Sequence, residues 1–132
     1  MNVTIIGPGN MGRAIGTRAA AGGHSVTFVG DKLETAEQAA KDVKASTKNS
    51  AQVSTANLEN IDLGDIVVLA LWYGVNKQVA GQLADKLNGK IVVDIANPLT
   101  STFDNLATPP NSSSAEEVAQ AAPGAKVVKA FN

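Results

Sequence analysis

Apolar residues along this chain fall into short blocks of two kinds. The segments 3–6, 26–29, 66–71, 91–95 and 127–131 are compact runs rich in β-branched side chains, the pattern of strands covered on both faces. Between the first two, residues 10–21 carry the small side chains Ala14, Gly16, Ala19, Ala20 and Ala21 and stop at Gly22 and Gly23, which predicts a helix lying close on a sheet. Residues 33–44 predict a polar, alanine-rich helix. Val75, Val79, Leu83 and Leu87 recur every four residues and predict another, which Asn88 and Gly89 stop. Ser113 and Glu116 have capping-box spacing for a helix near 114–122, ended by Pro123 and Gly124. In the remainder, 45–52 reads as a polar loop, Val53 as the start of a short strand and 56–63 as a short helix before Gly64. The Pro- and Ser-rich stretch 98–114 reads as an ordered loop or lid, because strand-forming sequence resumes after it.

Strands alternating with helices predict an α/β fold: a doubly wound parallel sheet of the Rossmann type, with three layers α/β/α. At 132 residues the expectation is one domain spanning 1–132.

Composition removes several function classes. Eleven Lys and Arg against twelve Asp and Glu give a net charge of −1 with no basic stripe, which argues against a nucleic-acid partner. The absence of cysteine excludes disulfides, thiolate metal sites and thiol redox chemistry, and a single histidine argues against any metal centre. The longest apolar run, 66–73, is far short of the roughly 20 residues of a membrane helix, and Met1 leads directly into a strand pattern. The expectation is a cytoplasmic protein without a membrane partner.

The candidate chemistry sits in "VTIIGPGNMGRAIG", residues 3–16. A bare G-x-G-x-x-G is a weak signal, and its context here carries the weight: strand before, helix after. In a dinucleotide-binding turn, Gly7 ends the strand, Gly9 admits a pyrophosphate to the backbone and Gly12 lets the helix pack. Asn10 and Met11 would add backbone donors at the positive end of the helix dipole. Asp31 lies nineteen residues after Gly12, where a carboxylate accepts hydrogen bonds from the ribose of NAD; it also suits a helix N-cap. Lys32 pulls the other way, as a cation that would neutralise the extra phosphate of NADP. Arg13 reads as a surface arginine, His24 as a turn residue, and Glu116 with Glu117 as partners of a helix dipole.

The stretches "IIGPGNMGRAIG", "GGHSVTFVGDK", "VVDIANPL" and "SSSAEEVAQAAPGAKVVKAFN" resemble the NADP-dependent oxidoreductases of the deazaflavin coenzyme (factor 420), whose cofactor domain recurs in pyrroline-carboxylate reductases. The pairing of Asn97-Pro98 with the terminal Lys129-Ala130-Phe131-Asn132 is more specific than the glycines. The resemblance implies that Gly7, Gly9, Asn10, Met11 and Gly12 hold the pyrophosphate and that Gly30, Asp31 and Lys32 face the adenosine ribose. It further implies that Leu71, Trp72, Tyr73, Asn97 and Pro98 line the nicotinamide half. NADP(H) is the implied cofactor, with NAD(H) open because Gly30-Asp31-Lys32 replaces the family's usual Ser or Thr with Arg. A small-molecule redox acceptor, a deazaflavin or flavin, is the implied second substrate. Trp72 stands where the family commonly has proline, either to stack on a flat ring or to fill the core edge. The family's further C-terminal segment, which helps to form a homodimer and close the acceptor site, is expected to be missing beyond Asn132.

No Ser/His/Asp or paired-carboxylate constellation emerges. That suits hydride transfer, in which the cofactor carries the chemistry and no catalytic side chain is named. The alternatives are a non-catalytic NAD(P)(H)-binding or sensing module and, more weakly, a turn that binds FAD or S-adenosylmethionine.

Overall fold

A computed structural model describes residues 1–132. Six strands, β1 (Asn2–Ile6), β2 (Ser25–Val29), β3 (Val53–Thr55), β4 (Ile66–Leu69), β5 (Ile91–Asp94) and β6 (Lys126–Lys129), form a sheet in the order β3-β2-β1-β4-β5-β6. The pairs β1/β2, β1/β4, β2/β3 and β5/β6 are parallel. The helices are α1 (Asn10–Ala21), α2 (Leu33–Ser46), α3 (Tyr73–Gln82), α4 (Ala84–Leu87) and α5 (Ser114–Ala121). This is the doubly wound α/β fold expected from the alternation of elements. The chain divides into two compact units, Met1–Ala70 and Leu71–Asn132.

In the first unit the strand order reverses at β1, which lies between β2 and β4. In open α/β sheets such a reversal opens a crevice at the carboxyl ends of the strands, where ligands bind. The packing beneath it depends on α1 having almost no side chains on one face: Gly12, Gly16 and Ala20, four residues apart, are its buried positions. A Cβ on Gly16 would stand 2.5 Å from Cζ of the fully buried Phe28 and 3.2 Å from Cδ1 of Ile5. The helix backbone therefore rests directly on the side chains of β1 and β2. Helix α2 uses Ala36, Ala39, Ala40 and Val43 in the same way.

The second unit differs from the sequence pattern at its long helix. Four-residue spacing advances the apolar stripe by about 40° per step around a 3.6-residue helix. The chain breaks at Leu83 (φ −100°, ψ 8°) into α3 and α4, so that Val79, Leu83 and Leu87 are all buried while Val75 is exposed. In the first unit, the helix expected over 56–63 is absent; only a turn forms at 58–60. Its apolar residues Ile61 and Leu63 are buried in an irregular segment after the turn, and a helix of about eight residues would be too short to repay nucleation. Strand β6 ends at Lys129, short of the predicted 131, because Phe131 takes a positive φ of 63°.

Candidate functional site

In the first unit the glycine-rich turn follows β1 without a break. Gly7 has φ 109°, a conformation that favours glycine, and its N–H donates to the Val29 carbonyl at 2.9 Å. Gly12 is fixed by space: a Cβ there would overlap the Gly7 carbonyl oxygen and stand 3.2 Å from Cγ2 of Ile5. Gly9 is different. Its backbone is ordinary and extended (φ −75°, ψ −170°) and a Cβ on it would meet nothing within 4 Å.

Gly9 is also the cap of α1, and it has no side chain with which to cap. The first intrahelical bond runs from the Arg13 N–H to the Gly9 carbonyl, 2.9 Å. The amides of Asn10, Met11 and Gly12 thus belong to the helix end that lacks intrahelical partners, and no acidic side chain occupies the first turn. Asn10 and Met11 are exposed. Arg13 braces this turn from behind: its Nε donates to the Pro8 carbonyl at 3.1 Å and its guanidinium pairs with Asp42 of α2 at 3.1 Å.

Gly30, at the end of β2, lies against the same turn, since a Cβ there would stand 3.1 Å from Cγ of Pro8 and 2.7 Å from Oγ1 of Thr35. Asp31 and Lys32 follow, both exposed. The cap of α2 is Lys32, one position later than the expected Asp31; the Asp31 carboxylate instead accepts the Lys32 N–H at 2.9 Å. Gly30 thus lies against the glycine turn, with Asp31 and Lys32 the next residues along the chain. A groove of about 280 Å³ along α2 and β3, lined by Glu37, Lys41, Lys44 and Ser54 among others, contains none of these residues.

In the second unit Leu71, Trp72 and Tyr73 make the junction into α3. Trp72 is the cap residue and is 78% exposed, so it does not fill the core edge. Its carbonyl accepts the N–H groups of Val75 and Asn76, both at 2.9 Å. Asn97 and Pro98 follow β5, and from Pro98 the chain folds into a small flap in which Leu99 bridges Leu106 and the Ala107 N–H donates to the Pro98 carbonyl. At the flap's tip Phe103, 70% exposed, takes φ 59°.

Residues beside both segments bond one buried carboxylate, which the sequence reading missed. Asp94 has no exposed surface and accepts hydrogen bonds from Asn76 Nδ2 (2.6 Å), the Ala96 N–H (3.1 Å) and Lys129 Nζ (3.2 Å). Asn76, also fully buried, accepts the Leu71 N–H on Oδ1 at 3.2 Å. Lys129 further donates to the Ala96 carbonyl, and Asn132 Nδ2 reaches Asn97 Oδ1 at 3.3 Å. The available signal was an acid ending an otherwise apolar strand, in "IVVD".

Glu117, read from the sequence as a partner of the α5 dipole, is buried and accepts the Tyr73 hydroxyl at 2.6 Å. Ser113 Oγ caps the helix as its spacing predicts, accepting the Glu116 N–H. The Glu117 carboxylate, by accepting that bond, together with desolvation, pushes the Tyr73 phenol up from 10.0 to about 12. A phenol with a raised folded-state pKa contributes stability that is fully present below pH 10 and lost as pH rises from 10 toward 12. Tyr73 is the sole tyrosine, so phenolate absorbance should show no titration at pH 10 and a midpoint near 12. In Glu117→Gln the midpoint should move back toward 10.0.

The comparisons with known proteins agree with this geometry. Residues 2–98 match the family described as NADP oxidoreductase, coenzyme F420-dependent. The chain is 35% identical to the F420-dependent NADP reductase of Methanocaldococcus jannaschii over 99% of its own length and 62% of the relative's. Among solved structures, the hypothetical protein SMa0349 of Sinorhizobium meliloti superposes with a TM-score of 0.82 at 29% identity, covering 100% of this chain and 62% of that one. A protein of Arthrobacter sp. FB24, provisionally named an F420-dependent NADP reductase, superposes with a TM-score of 0.76 at 28% identity, covering 98% of this chain and 61% of the other. The chain thus spans less than two thirds of the length of these relatives, and it belongs to the coenzyme F420-dependent NADP oxidoreductase family.

Proposed function

We propose that this chain is the dinucleotide-binding domain of an oxidoreductase that moves hydride between NADP(H), or NAD(H), and a second redox molecule of the deazaflavin or flavin class. The observation that carries the reading is Gly9. Neither its φ nor its surroundings require glycine, and although a cap position accepts glycine, Ser, Asp or Asn there would also bond the first-turn amides. What a side chain there would obstruct is the approach of a ligand to the backbone, above amides that await an acceptor.

In this reading the N–H groups of Asn10, Met11 and Gly12 bind the pyrophosphate, with Gly7 turning the chain and Gly12 holding the helix against it. Gly30, Asp31 and Lys32 receive the adenosine ribose. Leu71, Trp72, Tyr73, Asn97 and Pro98 take the nicotinamide half, where Trp72 offers an exposed indole to a flat ring. The bound dinucleotide supplies the hydride chemistry; the protein orients it and shields it from water. The match to the NADP-dependent family supports this assignment.

Gly9→Ala tests it directly. The substitution should lower the thermal midpoint only by the few degrees that a poorer helix cap costs, since its Cβ meets no protein atom, and should weaken NADPH binding by at least about tenfold through loss of close backbone approach. Unchanged affinity in this variant would remove the main support for a phosphate-binding turn. Cofactor choice rests on the neighbouring charges. Asp31→Ala should improve NADPH relative to NADH by about fivefold at low salt, because it removes a carboxylate that repels a 2′-phosphate beside Lys32. Paired titrations with the two cofactors read that ratio.

A further inference from the structure

We infer that Asn76, Asp94 and Lys129 form a positioning cluster that fixes the backbone of Leu71–Tyr73 and the backbone of Ala96–Pro98 in one register, and so sets the seat of the nicotinamide half. The inference rests on the dinucleotide reading proposed above and adds to it residues that touch neither cofactor nor substrate.

The connection is continuous in hydrogen bonds. The Leu71 N–H donates to Asn76 Oδ1, and the other end of that amide donates to Asp94 Oδ1. The same carboxylate oxygen accepts the Ala96 N–H, immediately before Asn97-Pro98. Asp94 Oδ2 takes the Lys129 ammonium from β6, and Lys129 also holds the Ala96 carbonyl. Asn76 and Asp94 have no exposed surface, whereas the Lys129 side chain is 31% exposed. Each junction is thus tied at a backbone atom, and both ties end on one carboxylate.

A buried ion pair is weak evidence for stability, and a fully apolar strand end would pack at less desolvation cost. A carboxylate with donors from three directions does something an apolar residue cannot: it fixes the angle at which two chain segments leave the sheet. The glycine turn and the ribose edge belong to the first unit and make none of these bonds.

The test is a comparison of two ligands in Asn76→Ala and in Lys129→Met, with Lys129→Arg as the conservative control. In both disrupting variants NADPH affinity should fall about tenfold while 2′,5′-ADP, which has no nicotinamide, keeps its affinity within about twofold. Lys129→Arg should restore most of the NADPH affinity. Hydrogen exchange at the Leu71 amide should accelerate in Asn76→Ala and that at the amides of β1 should not. Should Asn76→Ala fail to fold, Lys129→Met decides the matter by the same ratio, its side chain being part-exposed on an edge strand. Equal weakening of both ligands, or no change in NADPH affinity, overturns the inference. If the unsubstituted protein bound neither ligand, the dinucleotide reading would fall first, and the inference with it.

Discussion

Gly12→Ala should unfold about 10 °C below the unsubstituted protein and bind no dinucleotide. The new Cβ would overlap the carbonyl oxygen of Gly7, the positive-φ residue that follows β1, and it would also press on Ile5, which is fully buried. Relief requires α1 to lift from the sheet. That motion would strip contact from Gly16, whose own Cα face already touches Phe28 and Ile5. Overpacking of this kind costs about 3 kcal/mol, and the better helix propensity of alanine returns at most about 1 kcal/mol. Calorimetry measures the first effect, and NADPH titration of the folded fraction below its midpoint measures the second. Beside Gly9→Ala, this variant separates the two reasons for glycine within six residues: Gly12 is needed to fold, Gly9 to bind.

Asp94→Ala carries the other large effect, a loss of about 3 kcal/mol in unfolding free energy. The substitution removes the Asp94 oxygen that accepts from the fully buried Asn76 amide and from the Ala96 N–H, and takes the counter-charge from the Lys129 ammonium. The cost stays near the lower end for a broken buried pair because Lys129 is part-exposed and can turn to water. Asp94→Asn combined with Lys129→Met should recover part of that loss, since the pair is then removed together and an acceptor remains for Ala96. Denaturant unfolding of the two single variants and the double variant measures the coupling.

The contrast between these two positions indicates what the sequence could carry. The role of Gly12 is local: a strand, a turn and a helix fall within twenty residues, and each has its own period and its own stop signal. The same holds for the Ser113 cap and for the close approach of α1 through Gly16 and Ala20. Asp94, Asn76 and Lys129 are separated by 18 and 35 residues, and each alone reads as an ordinary helix or strand-end polar residue. They become a cluster only through tertiary structure: the parallel register of β5 with β6 sets Asp94 beside Lys129, and the packing of α3 brings Asn76 to the same carboxylate. Trp72 is a middle case. Its place at a strand end was legible, but whether it filled the core or faced solvent depended on packing that no spacing encodes. The irregular path of 56–63 was obscured for the same reason: Ile61 and Leu63 are buried by tertiary packing, against which their neighbours' helix propensity is the weaker term.

The central claim is that Gly7–Gly12 and the ribose edge bind a nicotinamide dinucleotide. Titration of the unsubstituted protein with NADPH and NADH, followed by energy transfer from Trp72, the sole tryptophan, tests it most directly. Saturable quenching of Trp72 with sensitised nicotinamide emission, at roughly micromolar to submillimolar concentrations, is the predicted result. No saturable change with either cofactor at millimolar concentration would contradict it and leave the glycines as a turn alone.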